Sequence, residues 1–279
     1  MLPGGVLAIT SSGTDGNDAV NFVAARSDTD PQALAACRAS TLAARRFEWV
    51  MGMARTNDGL LACNLDKRSA ALYKFALDGS MDDELATAPA LAEYGRGFNR
   101  CAVHQQTQRT FAVAMTPGVV ESNAVIILDS HLQVVATVEA AESTKGDGPI
   151  CDLAVHGDQV IVLTGDRHPE GSGLRLLDLD GRFLRTIAAG QLQNPQAVAA
   201  SHGRAFVIDQ EGEEDEDDEE DGIRQVLHVI DIHSGDILQQ VRIDLVDEIA
   251  AVLVHGDEIY IAGFSQSEVV VLPFAGSEA

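Results

Sequence analysis

One pattern recurs often enough along this chain to decide its fold: a short apolar run, a histidine among polar or glycine neighbours, then a second apolar run. It appears as CAVHQQTQRTFAVAM (101–115), LAVHGDQVIVLTG (153–165), AASHGRAFVIDQ (199–210) and VLVHGDEIYIAG (252–263), and a variant at 50–63 turns on Asn57-Asp58-Gly59 instead. Two half-buried strands around a Gly- and Asp-rich turn make a β-hairpin. A second hairpin follows each first one, in 73–88, 125–140, 174–189 and 227–243, with the form apolar strand, Asp-containing turn, apolar strand.

Two stacked hairpins make a four-stranded antiparallel unit about 50 residues long, a period that marks repeat architectures. Landmarks recur with it at Phe47, Phe98, Pro149, Pro195 and Glu248. Short strands in units of four, with no helical periodicity between them, predict an all-β propeller, whose blades leave only short edges. Length over period gives six blades of four-stranded antiparallel sheet in one domain spanning 1–279. Five blades is the runner-up, because the first unit lacks an inner strand and the last an outer one. In the first unit Val6–Ser12, Ala19–Ser27 and Ala33–Ala39 read as strands. The competing reading of the third is local: Asp30-Pro31 ahead of the Ala-rich stretch 32–46 has the form of a capped helix start.

The unit at 174–209 is more specific. LDLDGRFLRTIAAGQLQNPQAVAASHGRAFVID runs through an Asp-Gly turn, an aromatic, a Gly and Gln-Leu stretch, Pro195, an apolar-Ala-apolar step, Gly203, an apolar run and Asp209. In that order it resembles the NHL repeat. The resemblance implies a six-bladed propeller that acts as an interaction module.

Charge narrows the partners. The chain carries −24, and residues 211–221 (EGEEDEDDEED) hold ten acids and no base; without those ten, −14 remains. Such a field repels phosphate backbones and anionic lipid surfaces, so neither nucleic acid nor membrane is an expected partner. No apolar run approaches the ~20 residues that span a bilayer, and 1–16 has no signal-peptide pattern. Cys37, Cys63, Cys101 and Cys151 are widely spaced small thiols in apolar surroundings. They read as reduced core residues, which implies a cytoplasmic or nuclear setting.

A meander sorts its connections to two ends. The turns within hairpins are short and uniform, whereas the connections between hairpins vary, reaching their extreme at 210–223. Variable loops on a rigid scaffold are where binding resides. The expected function is therefore a non-enzymatic scaffold gripping a basic protein or peptide. Glu213, Glu214, Asp215, Glu216, Asp217 and Asp218 of a solvated, disordered acidic loop would contribute, with Arg96 and Arg100. The alternative is a hydrolase or lyase at the channel mouth that depends on a divalent metal. Asn99, Asp152, Gln196 and Glu248 would correspond there to the acid-and-amide set that holds calcium in gluconolactonase-like propellers. No cofactor is expected under the scaffold reading. His104, His156, His202 and His255 occupy equivalent turns of different blades, which keeps them from converging on one ion. GxSxG, P-loop and HExxH motifs are absent.

Overall fold

A computed structural model describes residues 6–11, 19–24, 30–32, 35, 50–65, 70–76, 97–115, 122–139, 148–165, 169–212, 224–244, 249–263 and 269–274. The chain divides into two compact units, Met1–Glu139 and Ala140–Ala279.

In the first unit, β1 (Val6–Ser11) and β2 (Ala19–Ala24) form an antiparallel ribbon, with Val6 opposite Ala24 and Ser11 opposite Ala19. A three-stranded sheet follows, built of β3 (Val50–Arg55), β4 (Gly59–Leu65) and β5 (Ala70–Ala76). The third sheet has four strands, β6 (Gly97–His104), β7 (Arg109–Met115), β8 (Ser122–Leu128) and β9 (Val134–Glu139). Leu61, Cys63 and Leu72 of one sheet pack against Phe98, Ala112 and Ile126 of the next. Each large side chain buried this way contributes roughly 1.5–3 kcal/mol of transfer free energy.

The second unit repeats the device. β10 (Ile150–His156), β11 (Gln159–Thr164), β12 (Gly173–Asp178) and β13 (Phe183–Ile187) form one sheet. β14 (Pro195–Ser201), β15 (Arg204–Glu211), β16 (Arg224–Asp231) and β17 (Ile237–Ile243) form the second, and β18 (Ile249–His255), β19 (Glu258–Gly263) and β20 (Val269–Pro273) the third. The period of two in a strand divides β15 between two cores: Ala205 and Val207 face the preceding sheet, while Phe206 and Ile208 face the following one. His202 and Gly203 both take positive φ, at 51° and 71°. That is the two-residue turn whose twist matches its flanking strands.

These sheets are the blades of an all-β propeller. Among the described residues there are five, the runner-up of the sequence reading, where six were expected. A register shift marks the same place in the first strand of every blade: between Val50 and Gly52, Phe98 and Arg100, Ile150 and Asp152, Pro195 and Ala197, and Ile249 and Ala251. The ribbon of β1 and β2 has no such bulge, and of the third strand expected at 33–39 only Ala35 is among the described residues. Pro31, Gln32 and Ala35 are helical, and the rest of 33–39 lies outside the described residues. Proline at the first helical position already has the required φ and lacks only an N–H that would have no helical acceptor. Asp30 Oδ1 accepts the Gln32 N–H at 2.9 Å and caps the start. At these residues the structure follows the local helix-start signal.

Within each unit, connections sort by end. Hairpin turns such as 157–158, 202–203, 232–236 and 256–257 are short, whereas at the opposite strand ends six residues separate β7 from β8, eight separate β11 from β12 and twelve separate β15 from β16. Cys63 and Cys101 are buried in the core of the first unit. None of the described helical residues belongs to a helix long and apolar enough to cross a membrane.

Candidate functional site

The polar residues most at odds with their surroundings lie at the long-connection end of the β14–β17 blade. In RAFVIDQE and RQVLHVID, alternation sends Val207, Asp209 and Glu211 of β15 to one face. Val207 pairs with His228, Asp209 with Val226, and His228 in turn with Gln240 of β17. His228 therefore shares that face, one diagonal step from Asp209. An imidazole and a carboxylate occupy places that an uninterrupted apolar strand would fill. Asp209 is fully buried, and His228 is 1% exposed.

Asp209 is well used by the backbone. Its Oδ2 accepts the Gln193 N–H at 2.8 Å and its Oδ1 the Asn194 N–H at 2.7 Å, which fixes the segment ahead of Pro195. Asn194 returns the contact through its carbonyl to the Gln210 N–H at 3.1 Å and through its side-chain amide to Gln210 Oε1 at 2.9 Å. His228 is less settled. Its Nε2 stands 3.4 Å from Asp209 Oδ2 and 3.4 Å from Glu211 Oε1. Neither approach closes into a hydrogen bond, and Nε2 is buried with no hydrogen-bond partner. Nδ1 lies 3.3 Å from the Gln240 side-chain nitrogen. Among the described residues, these three side chains form the one group whose ligand-type atoms converge, all within 4.8 Å of one another. Two carboxylates this close to a buried imidazole call for a proton or a cation between them.

The residues singled out from the sequence fall elsewhere. Asn99 and Gln196 are the extra residues of the first-strand bulges, and Arg100 and Asp152 both follow one. Arg100 and Asp152 therefore take equivalent places in their blades. Arg100 Nη1 donates to the Met51 carbonyl at 2.5 Å and so joins β6 to β3. Asp152 accepts the Leu153 N–H at 2.8 Å on Oδ1 and the Val198 N–H at 2.9 Å on Oδ2, which joins β10 to β14. Gln196 turns its amide back to the Asn194 carbonyl at 3.0 Å. Arg96, Glu248 and 213–218 lie outside the described residues. Of the recurrent histidines, His104 Nδ1 meets Thr107 Oγ1 at 2.8 Å, and His156 Nε2 accepts the Gly203 N–H at 3.1 Å.

His228 was missed because it sits inside an apolar strand rather than at a turn, and Glu211 because it reads as the first member of the acidic run. The available signal was the spacing Asp209-x-Glu211 on one strand, set against a histidine in the strand that follows.

No protein-family model matches the chain, and no curated protein matches it either. Solved structures do. The computationally designed Ika4 protein aligns at 14% identity with a TM-score of 0.42, over 64% of this chain and 91% of that one. BamB from Moraxella catarrhalis aligns at 15% identity and a TM-score of 0.48, over 81% of this chain. The present chain spans only 60% of BamB. The complex of KlAtg21 with the coiled-coil of AgAtg16 aligns at 12% identity and a TM-score of 0.47, over 82% of this chain and 67% of that one.

Proposed function

We propose that this propeller is a non-enzymatic scaffold that binds a basic protein or peptide segment at the long-connection end of its blades. The carrying observation is the asymmetry of the connections. Hairpin turns keep to a few residues, while at the opposite strand ends β15 and β16 are separated by twelve residues of sequence that hold most of a ten-acid run. A rigid sheet presenting a dense negative segment attracts Lys- and Arg-rich chains and speeds their encounter more than it tightens the final complex. We read the repeat unit at 174–209, which comprises the last two strands of one blade and the first two of the next, as NHL-like. Its motif residues Pro195 and Asp209 are brought to one place by the Asp209 bonds to Gln193 and Asn194, which supports that reading. The hydrolase alternative draws no support from the site: Asp152 gives both oxygens to backbone N–H groups, and Gln196 is turned toward Asn194.

The test is binding of a Lys/Arg-rich peptide to the full chain and to a version with residues 213–218 changed to their amides. Weakened, less salt-dependent binding in the variant is expected. Equal affinity and equal salt slope would remove the acidic segment from the function.

A further inference from the structure

We infer that Asp209, Glu211 and His228 form a binding site for a divalent transition cation of the zinc class, at the root of the acidic segment. This goes beyond the scaffold reading and stands on different residues from the peptide-binding acids.

Spacing is the first argument. A tetrahedral zinc site with arms of about 2.0–2.1 Å has edges of about 3.3–3.4 Å. The two separations from His228 Nε2, to Asp209 Oδ2 and to Glu211 Oε1, are both 3.4 Å. They are too long and too poorly aligned for hydrogen bonds, yet right for atoms sharing an ion.

The second argument is the orphaned nitrogen. His228 Nε2 is buried, aimed between two carboxylates and without a hydrogen-bond partner. A buried polar atom left unmet costs about 1–3 kcal/mol, and a metal bond removes that cost. A single proton on Nε2 cannot point at both oxygens at once, whereas a cation placed between them satisfies all three groups. Asp209 Oδ2 already accepts one backbone N–H and retains a lone pair for an ion.

The third argument is the support around the ligands. A metal-bound histidine normally donates its other ring N–H to an oxygen, which fixes the tautomer. Gln240 holds its amide 3.3 Å from Nδ1, and a half-turn of that amide presents its oxygen as acceptor. Asp209 is held by two backbone bonds, and Glu211, with a side chain 33% exposed, leaves a route for the ion and for a fourth ligand from solvent. Two oxygens and one imidazole nitrogen suit zinc, cobalt and manganese better than calcium, which takes oxygen alone.

Calorimetric titration of the chelator-treated full chain with zinc should show one tight equivalent, and with it a concentration-dependent rise in Tm. His228→Gln should abolish that equivalent, and Glu211→Gln should weaken it. Gln240→Leu, an exposed change with little bearing on folding, should weaken it about 10–100-fold. A chain with 213–218 neutralised should keep the tight equivalent, which separates this site from loose binding along the acids. Cobalt should give visible absorption of a four-coordinate nitrogen–oxygen site that disappears in His228→Gln. A wild-type chain that binds zinc no better than a folded His228→Gln variant overturns the proposal. So does an imidazole found protonated on both nitrogens at neutral pH and indifferent to zinc, which would make the cluster a buried ion pair.

Discussion

The two ends of the β14–β17 blade handle a buried or half-buried aspartate in opposite ways. At the hairpin end, Asp231 Oδ1 accepts the N–H groups of His233 and Ser234 at 2.8 and 2.7 Å, all within one turn. Asp178 and Asp129 repeat the arrangement in their own turns, accepting from Asp180 and Arg182 and from His131 and Gln133. At the other end Asp209 reaches back 16 residues to Gln193 and 15 to Asn194, and its neighbour His228 keeps an unmet nitrogen. A turn that satisfies its own aspartate is a closed piece of structure. An aspartate that depends on a distant loop ties two segments together, and its unfilled valence is open to something else.

Substitution at the long-range end should therefore cost most. Asp209→Ala leaves the Gln193 and Asn194 N–H groups without their acceptor and opens a void beside the buried His228 ring, and a loss of about 3–5 kcal/mol is expected. Urea unfolding followed by far-ultraviolet dichroism measures it. A loss under about 1 kcal/mol would mean that water replaces the carboxylate easily, and the contrast between the ends would fail.

The next largest effect tests packing at the same end. A Cβ on Gly165 would lie 2.5 Å from Cγ and 2.7 Å from Cδ of the Pro195 ring. A proline ring in this seam between blades has little freedom to yield, so Gly165→Ala should cost about 1–3 kcal/mol by overpacking. Denaturant midpoints would show this directly. A neutral result would mean that the seam shifts at little cost.

At the hairpin end the cost should be smaller. Asp178→Ala removes two short-range hydrogen bonds from a turn that water can reach, and about 1 kcal/mol is expected. A double mutant with Asp209→Ala should be additive, because the two aspartates share no partner. Strong coupling would show that the two ends are not independent.

The same contrast explains what could be read from the residues. The hairpins at 101–115, 153–165, 199–210 and 252–263 were legible because strand alternation and Gly-Asp turns are local. The turn aspartates were legible for the same reason. The number of blades was not, because in the first unit a strand-like pattern and a local helix start at Asp30-Pro31 compete for the same stretch of sequence. The Asp209 cluster was not legible either, since it depends on the register that sets Val207 against His228 and on a loop folding back over β15. A bulge also hides outward apolar residues: Val135, Leu184 and Leu238 are each the extra residue of an outer strand, and each is exposed. Alternation alone would have placed these in the core, whereas a bulged edge discourages pairing with another chain.

The smallest effect concerns acid, and it separates a histidine that ties blades together from an aspartate that serves its own turn. Burial, reinforced by repulsion from His202, holds the His156 ring below its ordinary pKa of 6.5. Its Nε2 accepts the Gly203 N–H from the next blade, and only an unprotonated nitrogen can do so. With the folded value below the unfolded one, the unfolded chain takes up the proton first. The full contribution is therefore present above pH 6.5, and it declines as pH falls through that value toward the folded pKa. Asp231 behaves differently. The Ser234 N–H, with help from the His233 N–H, lowers its carboxyl below 3.8, so its share is lost only as pH falls below that value. Between pH 7.5 and 5.5 the histidine titrates while the turn aspartate stays charged. Unfolding midpoints should fall over this range in the wild-type chain and fall less in His156→Gln, whereas Asp231→Asn should keep the wild-type slope. Equal slopes in the wild type and His156→Gln would mean that the contact between blades at His156 carries no proton linkage, and the acid sensitivity would have to come from elsewhere.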